Sequence, residues 1–519
     1  MKKKTKFFIN GIILSTVGLA MRGVGLALSA YVSRTVGAEG VGLNSLVMNV
    51  YAFAFTFATA GITLTVTALV AAAIGDGGIA REGAVLRGAF LYALGFGGTA
   101  FLILSLLAGP IASGVLGEES LSRPLFILSL SLIPSALSSV VSGYFIGRRR
   151  VVWNSALQVL GQLMRVVFTV TLLSGASGAD RISSITALAL GVTLTELIVF
   201  ILSVLELFLA RGGGGREKRE PSDVGGVARV CLPIALSAYV RSALITIEHA
   251  IIPMRLFRHG DTREGALSSY GSLHGMALPL LLYPLVPLSS FGSLLLPEFA
   301  EARAKGETER MKKIASLALG RSLRYAVIIS SLLFFFSEEL GYVIYSSYDV
   351  GRYIAILSPV VPLMFLDHVA DNMLKGIGEQ VYSMWVNILD SALSVFLVFV
   401  LLPVMGIEGY ALVIIAMEGF NFTLSIIRLK KKVGFKLNLL FDGAVPLLLA
   451  VLSSKITRRV FSPSGREVTF GILISELVFT LSLYIAFSKL RELLSLSKQR
   501  VEYDHSSKSE KHKVGGHTR

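Results

Sequence analysis

The sequence predicts an all-α polytopic membrane protein of about fourteen transmembrane helices, built as two six-helix lobes plus two C-terminal helices. Composition is the first observation: hydrophobic residues make up 53% of the 519-residue chain and charged residues only 16%, whereas soluble domains carry about 25% charged residues. The second is that apolar stretches of about 20 residues, which is long enough to cross a bilayer, recur along nearly the whole chain. The third is an internal repeat that relates the two halves.

The first predicted span follows a basic N-terminus. Its apolar stretch is too long for the apolar region of a signal peptide, so we expect an uncleaved helix. Spans two and eight are long enough to be tilted or bent, and three prolines in the eighth predict a kink. The predicted spans are 7–33, 41–74, 88–112, 124–146, 151–173, 184–209, 229–253, 268–297, 317–337, 353–374, 381–403, 406–427, 438–454 and 468–488.

The basic residues predict the orientation of these spans. With the N-terminus inside, the cytoplasmic loops and tails hold about three times as many Lys and Arg as the external loops, as the positive-inside rule requires. Two external loops, around residues 255–263 and 455–466, carry positive charge against this bias. We therefore predict a multi-pass protein of the bacterial plasma membrane with both termini cytoplasmic. Because the net charge of +15 is concentrated in particular loops, it does not indicate a nucleic-acid partner.

The two halves contain similar segments. Residues 158–173 align without gaps with residues 387–402 at an offset of 229, and similar offsets relate Ser45-Leu46 to Ser272-Leu273 and Ile146-Gly147 to Ile377-Gly378. This predicts two lobes in the same orientation, related by a pseudo-twofold axis along the membrane normal, as in many transporters. The predicted units are an N-terminal lobe (1–210), a cytoplasmic linker (211–226), a C-terminal lobe (227–430), a final helix pair (431–490) and a disordered cytoplasmic tail (491–519).

An arginine lies in the middle of the first span. Arg22 belongs to a stripe of small residues on one helix face, which consists of Gly11, Ser15, Gly18, Gly25 and Ser29. A mid-membrane arginine costs about 2.5–3.5 kcal/mol on insertion scales, so it must face water or protein. The small neighbours leave space, and the pattern predicts a cavity for an anion.

Further polar side chains recur inside later spans. In the seventh span Arg241 and Glu248 share a face. The remaining groups are Asn154, Gln158, Gln162 and Arg165 in the fifth span, Asp367, Asp371 and Lys375 in the tenth, and Asn387 and Asp390 in the eleventh. They predict either interhelical hydrogen bonds and ion pairs or a polar cavity with carboxylates that take Na⁺ or H⁺. Both interpretations stay open for each residue, and Arg165 and Lys375 lie near enough to helix ends to snorkel.

Motifs for other functions are missing from the sequence. No Walker A loop indicates ATP hydrolysis, and no Asp-x-Asp pair indicates a metal-bound nucleotide sugar. The single cysteine excludes an internal disulfide and a thiol metal cluster. We predict no catalytic residues, no metal site and no cofactor.

Three segments resemble a known family. The first is 22–46, with Arg-Gly-Val-Gly at 22–25 and Ser-Arg-Thr-Val-Gly-Ala-Glu-Gly-Val-Gly-Leu-Asn-Ser-Leu at 33–46. The second is Gly-Tyr-Phe-Ile-Gly at 143–147, followed by Gln158, Gln162 and Arg165. The third is 270–300, with Tyr-Gly-Ser-Leu-His-Gly-Met-Ala-Leu-Pro-Leu-Leu-Leu-Tyr-Pro at 270–284 and Leu-Leu-Pro-Glu-Phe-Ala at 295–300. Together they are similar to signatures of bacterial polysaccharide-biosynthesis flippases of the multidrug/oligosaccharidyl-lipid/polysaccharide exporter superfamily, especially its stage V sporulation protein B group.

The resemblance implies two lobes in a V, a cationic central cavity and alternating access, with a lipid-linked sugar diphosphate such as lipid II as cargo. It implies that Arg22 is a cavity arginine, that Arg34 is basic at the outer end of the same helix, and that Asn387 and Asp390 resemble a Na⁺-binding pair. The chain departs from the pattern at Leu28 and Ser29, where relatives carry a second basic residue, and in segment 61–70, which lacks the usual proline and lysine.

The sequence thus predicts a non-enzymatic flippase. The predicted substrate-binding residues are Arg22, Arg34, Arg165 and Arg241, and the predicted ion-coupling residues are Glu248, Asp367, Asp371, Asn387 and Asp390. The expected partners are the lipid-linked substrate, the bilayer and cell-wall synthesis proteins. A cation-coupled multidrug antiporter of the same superfamily is the first alternative, although paired arginines argue against a cationic drug. A polytopic glycosyl- or acyltransferase is the second, although no catalytic acid–base pair supports it.

Overall fold

The computed structural model describes residues 2–75, 79–148, 150–176, 180–211, 221–461 and 471–490, which are helices and short connections without a strand. The predicted tail and most of the predicted linker lie outside the described residues. Predominantly apolar stretches form these helices because backbone groups in lipid must be satisfied within the segment.

Seven α-helices form the first half of the chain. They are α1 (Lys2–Thr59), α2 (Ile62–Gly75), α3 (Ile79–Pro110), α4 (Ser122–Ser129), α5 (Leu132–Gly147), α6 (Val151–Gly175) and α7 (Arg181–Arg211). A π-helical turn at Ile111–Val115 and a 3₁₀ turn at Glu119–Leu121 connect α3 to α4. Packing of α2, α3, α6 and α7 around α5 makes the N-terminal lobe.

The second half contains α8 (Val224–His259), α9 (Arg263–Tyr270), α10 (Leu278–Leu282), α11 (Val286–Ala304), α12 (Thr308–Phe335), α13 (Ser337–Tyr345), α14 (Tyr348–Leu357), α15 (Val361–Gly376), α16 (Gln380–Val433) and α17 (Val445–Phe461). A last helix, α18, covers Gly471–Leu490. Helices α8, α11, α12, α15 and α16 make the C-terminal lobe.

Twelve helical segments of the described residues are long and apolar enough to cross a membrane. Two of them exceed 50 residues, and each is interrupted where a glycine leaves helical geometry: Gly37 in α1 and Gly406 in α16, both with positive φ. Since about 20 residues suffice for one crossing, each is long enough for two. The breaks coincide with the predicted boundaries between spans one and two and between spans eleven and twelve. The helical membrane fold is confirmed, while the exact number of fourteen crossings stays a prediction.

The predicted eighth span is bent. Between α9 and α11 the backbone passes through a π-helix at Gly271–Ala277, α10, and a 3₁₀ turn at Tyr283–Leu285. Pro279 and Pro284 lie in this stretch, and Pro287 lies in the first turn of α11. Each lacks the N–H that a regular helix would use. The bend turns the segment around Pro279–Tyr283 toward the first helix.

The two lobes meet where α1 packs against α8, α9 and the π-helix at Gly271–Ala277. At Gly42 a Cβ atom would collide with the carbonyl oxygen of Leu267, and at Gly271 it would collide with that of Ala38. Only glycine allows the backbones to approach this closely. These contacts hold the lobes together at the side predicted to be extracellular.

The final helix pair packs beside α12. Arg324 Nε lies 3.3 Å from Asp442, Arg458 lies 3.1 Å from Glu339, and the hydroxyls of Thr457 and Thr480 are 2.8 Å apart. The pair therefore attaches to the outside of the C-terminal lobe rather than between the lobes.

Candidate functional site

A cavity of about 560 Å³ opens between the lobes, and we call it the cleft cavity. Helices α1 and α6 supply one wall, and α10 with the 3₁₀ turn that follows it supplies the other. Its lining residues are Gly18, Met21, Arg22, Gly25, Leu26, Ser29, Ser155, Gln158, Val159, Gln162, Pro279, Leu282 and Tyr283.

Arg22 is the charged residue in this lining, and its side chain is exposed to the cleft cavity. Within the described ranges, no carboxylate lies within ion-pair distance of its guanidinium. Three small residues of the predicted stripe, Gly18, Gly25 and Ser29, line the cavity beside it. Among the described residues, a Cβ at Gly18 would have no neighbour within 4 Å, and one at Gly25 would lie 3.5 Å from Gln162 Nε2. The guanidinium is therefore available to an anion. The surroundings of Gly11 and the side chains of Ser15 and Asn154 are not among those that the structure describes.

Arg34 lies elsewhere, although it belongs to the same long helix. Its Nε donates to the carbonyl oxygen of Ile344 over 3.1 Å, and a second nitrogen donates to Val343. Ser33 lies 3.3 Å from Met276, and Arg263 pairs with Glu118 over 2.9 Å. These contacts join the lobes at the predicted extracellular end, so Arg34 closes that end and does not line the cleft cavity.

Arg165 lies in a second cavity, inside the N-terminal lobe, which we call the lobe cavity. Its guanidinium lies 3.2 Å from Glu196, and the other oxygen of Glu196 lies 2.9 Å from the Ser135 hydroxyl. The cavity has about 340 Å³ and is lined by Phe55, Thr63, Ser135, Ser138, Ser139, Ser142, Leu157, Gln158, Gly161, Gln162, Arg165, Thr195, Glu196, Val199 and Ser203. Gln158 and Gln162 line both cavities. The sequence left Glu196 unassigned because its partners belong to other helices.

Arg241 is exposed on α8 and belongs to the lining of neither cavity. It lies within electrostatic reach of Asp390 on α16. The structure therefore does not bring Arg22 and Arg241 together into one site in this conformation, and the four predicted cavity arginines occupy four different environments.

The C-terminal lobe contains a group of carboxylates that we call the acidic cluster: Glu248, Asp367, Asp390 and Glu418. They come from three helices, and Glu248, Asp367 and Glu418 each lie within electrostatic reach of Asp390. Ser394 donates to Glu248 over 2.6 Å. One oxygen each of Asp367 and Asp390 is buried without a hydrogen-bond partner among the described residues. A cation or a proton would satisfy them, as buried carboxylates require.

Two predicted ion-coupling residues have other partners. Asp371 pairs with Lys375 over 2.5 Å within α15, and Asn387 donates to the carbonyl of Ser383 over 2.7 Å. Glu418 belongs to the acidic cluster although it was not among the predicted ion-coupling residues. It stands alone among apolar residues in span twelve, so the sequence alone offers no sign of its neighbours on other helices. Among the described residues, no group of three His, Cys, Asp or Glu side chains has a metal-binding arrangement.

Each lobe also carries an ion pair at its predicted cytoplasmic end. Arg148 makes a bidentate pair with Glu82 at 2.8 and 2.9 Å, and hydrogen bonding to that carboxylate raises the pKa of Arg148 above its ordinary value. In the C-terminal lobe, Glu379 accepts hydrogen bonds from Lys432 over 2.7 Å and from Arg428 over 2.6 Å. These two bonds, the one from Lys432 most of all, hold the pKa of Glu379 below its ordinary value.

Known proteins share this architecture. A family model described as polysaccharide biosynthesis protein matches residues 8–286, and one described as MatE matches residues 273–400. Stage V sporulation protein B of Bacillus subtilis (strain 168) is 25% identical over 438 residues, covering 80% of this chain and 82% of the relative.

Two solved structures show the same fold. "Lipid II flippase MurJ, inward closed conformation" superposes with a TM-score of 0.72 at 13% identity, covering 93% of this chain and 100% of that one. An inward-facing multidrug resistance MATE family transporter of the MOP superfamily gives a TM-score of 0.66 at 15% identity, covering 81% and 98%. The predicted resemblance and the helical, two-lobed fold are thereby confirmed. One of these proteins is described as a flippase and the other as a transporter.

Proposed function

We propose that this chain, which belongs to the polysaccharide biosynthesis protein family, is a flippase for a lipid-linked sugar diphosphate in the bacterial plasma membrane. The observation that carries the proposal is Arg22, a cation in the cleft cavity with no carboxylate partner among the described residues. An arginine at membrane depth without an ion-pair partner among the described residues needs an anion or water, and a diphosphate supplies the anion.

The cleft cavity offers groups that suit a diphosphate. The Arg22 guanidinium provides a planar fork of donors that matches two phosphate oxygens. Gln158 and Gln162 add amide donors on the facing helix. A single arginine binds the headgroup without holding it permanently, and release on the opposite side needs such moderate affinity.

Transport requires the outer contacts to open. The polyprenyl tail would stay in the bilayer while the headgroup occupies the cleft cavity between the lobes. Rocking of the lobes would then break the hydrogen bonds from Arg34 to α13 and the pair between Arg263 and Glu118. Cation or proton binding at the acidic cluster would bias one of the two states, because a ligand shifts an equilibrium through its differential affinity.

The test is flipping by purified protein in proteoliposomes. A polyprenyl diphosphate sugar with a fluorescent headgroup is incorporated, and an impermeant quencher reports the outer fraction over time. We expect Arg22→Ala to slow flipping by at least about tenfold, as loss of charge-assisted hydrogen bonds predicts, while expression stays normal. Arg22→Lys keeps the charge but loses the fork, so partial activity is expected.

Arg229→Ala is the matched control, because Arg229 is an exposed arginine of α8 outside both cavity linings. It should flip at the unmodified rate. Flipping by Arg22→Ala at the unmodified rate would contradict the proposal. The proposal would also be wrong if the Arg22→Ala protein disappeared from the membrane and a second substitution that neutralises a carboxylate restored it.

A cation-coupled multidrug antiporter is the second candidate. The acidic cluster favours it, since unpartnered carboxylate oxygens attract cationic compounds, and the MatE model covers residues 273–400. Efflux of a cationic dye that depends on Glu418 or Asp390, with no lipid flipping, would favour this candidate.

A further inference from the structure

The lobe cavity is far more polar than the interior of a helical lobe in a membrane needs to be. Eleven of its lining residues are polar: Thr63, Ser135, Ser138, Ser139, Ser142, Gln158, Gln162, Arg165, Thr195, Glu196 and Ser203. Its volume of about 340 Å³ falls in the range of small-molecule sites, about 300–1,000 Å³. Binding of a diphosphate at Arg22 in the cleft cavity leaves the lobe cavity without an assigned role.

The hydroxyls of the lobe cavity are arranged as acceptors. Ser139, Thr195 and Ser203 each donate to a carbonyl four residues earlier in their own helices, at 2.7–2.9 Å. The Thr63 hydroxyl donates to the backbone carbonyl of Ser139 over 3.2 Å. A hydroxyl that has used its one hydrogen keeps two lone pairs. The wall therefore presents oxygen acceptors that need a ligand rich in O–H or N–H donors.

Charged groups complete the wall. Glu196 presents two oxygens between Ser135 and Arg165. Among the described residues, Arg165 Nε and Ser138 Oγ are buried without a hydrogen-bond partner, although buried polar atoms are normally satisfied. They are donors for a ligand oxygen. A ligand with donors and acceptors around one small ring, such as a sugar, matches this mixture.

The lobe cavity adjoins the cleft cavity through α6. Gln158 and Gln162 line both, and they lie one helical turn apart on the same face. A group bonded directly to a diphosphate at Arg22 would therefore reach the lobe cavity past these two side chains. In a lipid-linked sugar diphosphate, that group is the first sugar.

We propose that the lobe cavity is the subsite for the first sugar of the substrate, with Glu196, Arg165 and Ser138 as its specificity-determining contacts. This inference rests on the proposed flippase function and adds to it. The diphosphate binds in the cleft cavity at Arg22, and the ring attached to it binds inside the N-terminal lobe.

The experiment compares two probe lipids in nanodiscs: a polyprenyl diphosphate and the same lipid bearing one N-acetylhexosamine. We expect the unmodified protein to bind the sugar-bearing lipid about tenfold more tightly. Glu196→Gln and Ser138→Ala should remove most of that difference while leaving the affinity for the sugar-free lipid unchanged. Ser331→Ala, which removes a buried, helix-bonded hydroxyl from α12, should change neither affinity.

The Arg22→Ala variant separates the two proposals, because it should weaken binding of both lipids. Suppose that Arg22→Ala weakens binding of both lipids. The sugar subsite is then wrong, and the flippase proposal stands, if the unmodified protein binds the two lipids equally. The same conclusion follows if Glu196→Gln and Ser138→Ala weaken binding of the two lipids equally or weaken binding of neither lipid. If Arg22→Ala weakens neither lipid, the flippase proposal is wrong. Ser138→Ala carries the test if Glu196→Gln fails to fold.

Discussion

Equivalent positions of the two lobes carry different charges. At the offset of the 158–173 repeat, Arg165 in the N-terminal lobe corresponds to Ser394 in the C-terminal lobe. Arg165 neutralises Glu196, whereas Ser394 gives Glu248 one hydrogen bond and no charge. The Glu196 carboxylate therefore has a cation at hydrogen-bonding distance in its own lobe, whereas no carboxylate of the acidic cluster has an ion-pair partner among the described residues.

A second pair of positions repeats the contrast. At the offset that relates Ile146-Gly147 to Ile377-Gly378, Arg148 corresponds to Glu379. The first pairs with Glu82, and the second with Arg428 and Lys432. At both aligned positions an arginine of the N-terminal lobe therefore corresponds to an uncharged or acidic residue of the C-terminal lobe, and the proposal of substrate contacts in one lobe and cation coupling in the other builds on this contrast.

The largest expected effect concerns orientation, because the parallel repeat requires the chain to leave both lobes on the cytoplasmic side. Gly213→Cys after the first lobe and Lys431→Cys after the second should both resist an impermeant thiol reagent in intact cells. The chain's own Cys231 is buried and gives no background. Ser120→Cys, in a predicted external loop, should be labelled completely. Labelling of either predicted cytoplasmic position from outside would overturn the orientation.

The next effect tests the division between the lobes. Asp390→Asn removes a carboxylate of the acidic cluster, so transport driven by a Na⁺ or H⁺ gradient should fall by about tenfold while substrate binding persists. Glu196→Gln should do the opposite and weaken sugar-lipid binding while keeping the dependence on the gradient. Gradient-dependent transport by Asp390→Asn at the unmodified rate would remove Asp390 from the mechanism.

A smaller effect concerns stability. Arg165→Ala leaves Glu196 in the lobe cavity without its cation, and we expect a loss of about 1–3 kcal/mol in the free energy of unfolding, toward the low end because Arg165 is partly exposed. Arg241→Ala, which breaks no ion pair among the described residues, should change the free energy of unfolding less. Denaturation of both variants in detergent measures the difference. A second change, Glu196→Gln, should restore most of the Arg165→Ala loss, and its failure to do so would mean that the pair contributes little.

The smallest effect is a pH dependence at the cytoplasmic end. Because Lys432 and Arg428 lower the pKa of Glu379 from its ordinary value of 4.5, the pair stabilises the folded state above that value and loses this contribution as the pH falls through the lowered pKa. The melting temperature of Glu379→Gln should therefore lie below that of the unmodified protein at neutral pH, and the two should converge in acid. A constant difference across the range would exclude the linkage.

The sequence by itself determined the membrane helices, the boundaries near Gly37 and Gly406, the bend at the prolines of the eighth span, and the small-residue stripe that exposes Arg22. Each follows from local properties: apolar length, missing N–H groups, glycine conformations and the 3.6-residue period. The family resemblance was likewise readable from contiguous motifs.

Only the tertiary structure decided the partners of the other charges. It put Arg34 against α13, Arg165 beside Glu196, Arg241 near Asp390, and Glu418 in the acidic cluster. Helical periodicity tells which residues share one face of one helix, but not which neighbouring helix that face meets. The apolar surfaces of these helices resemble one another, so their packing depends on shape at points such as Gly42 and Gly271, and that shape fixes which charges meet.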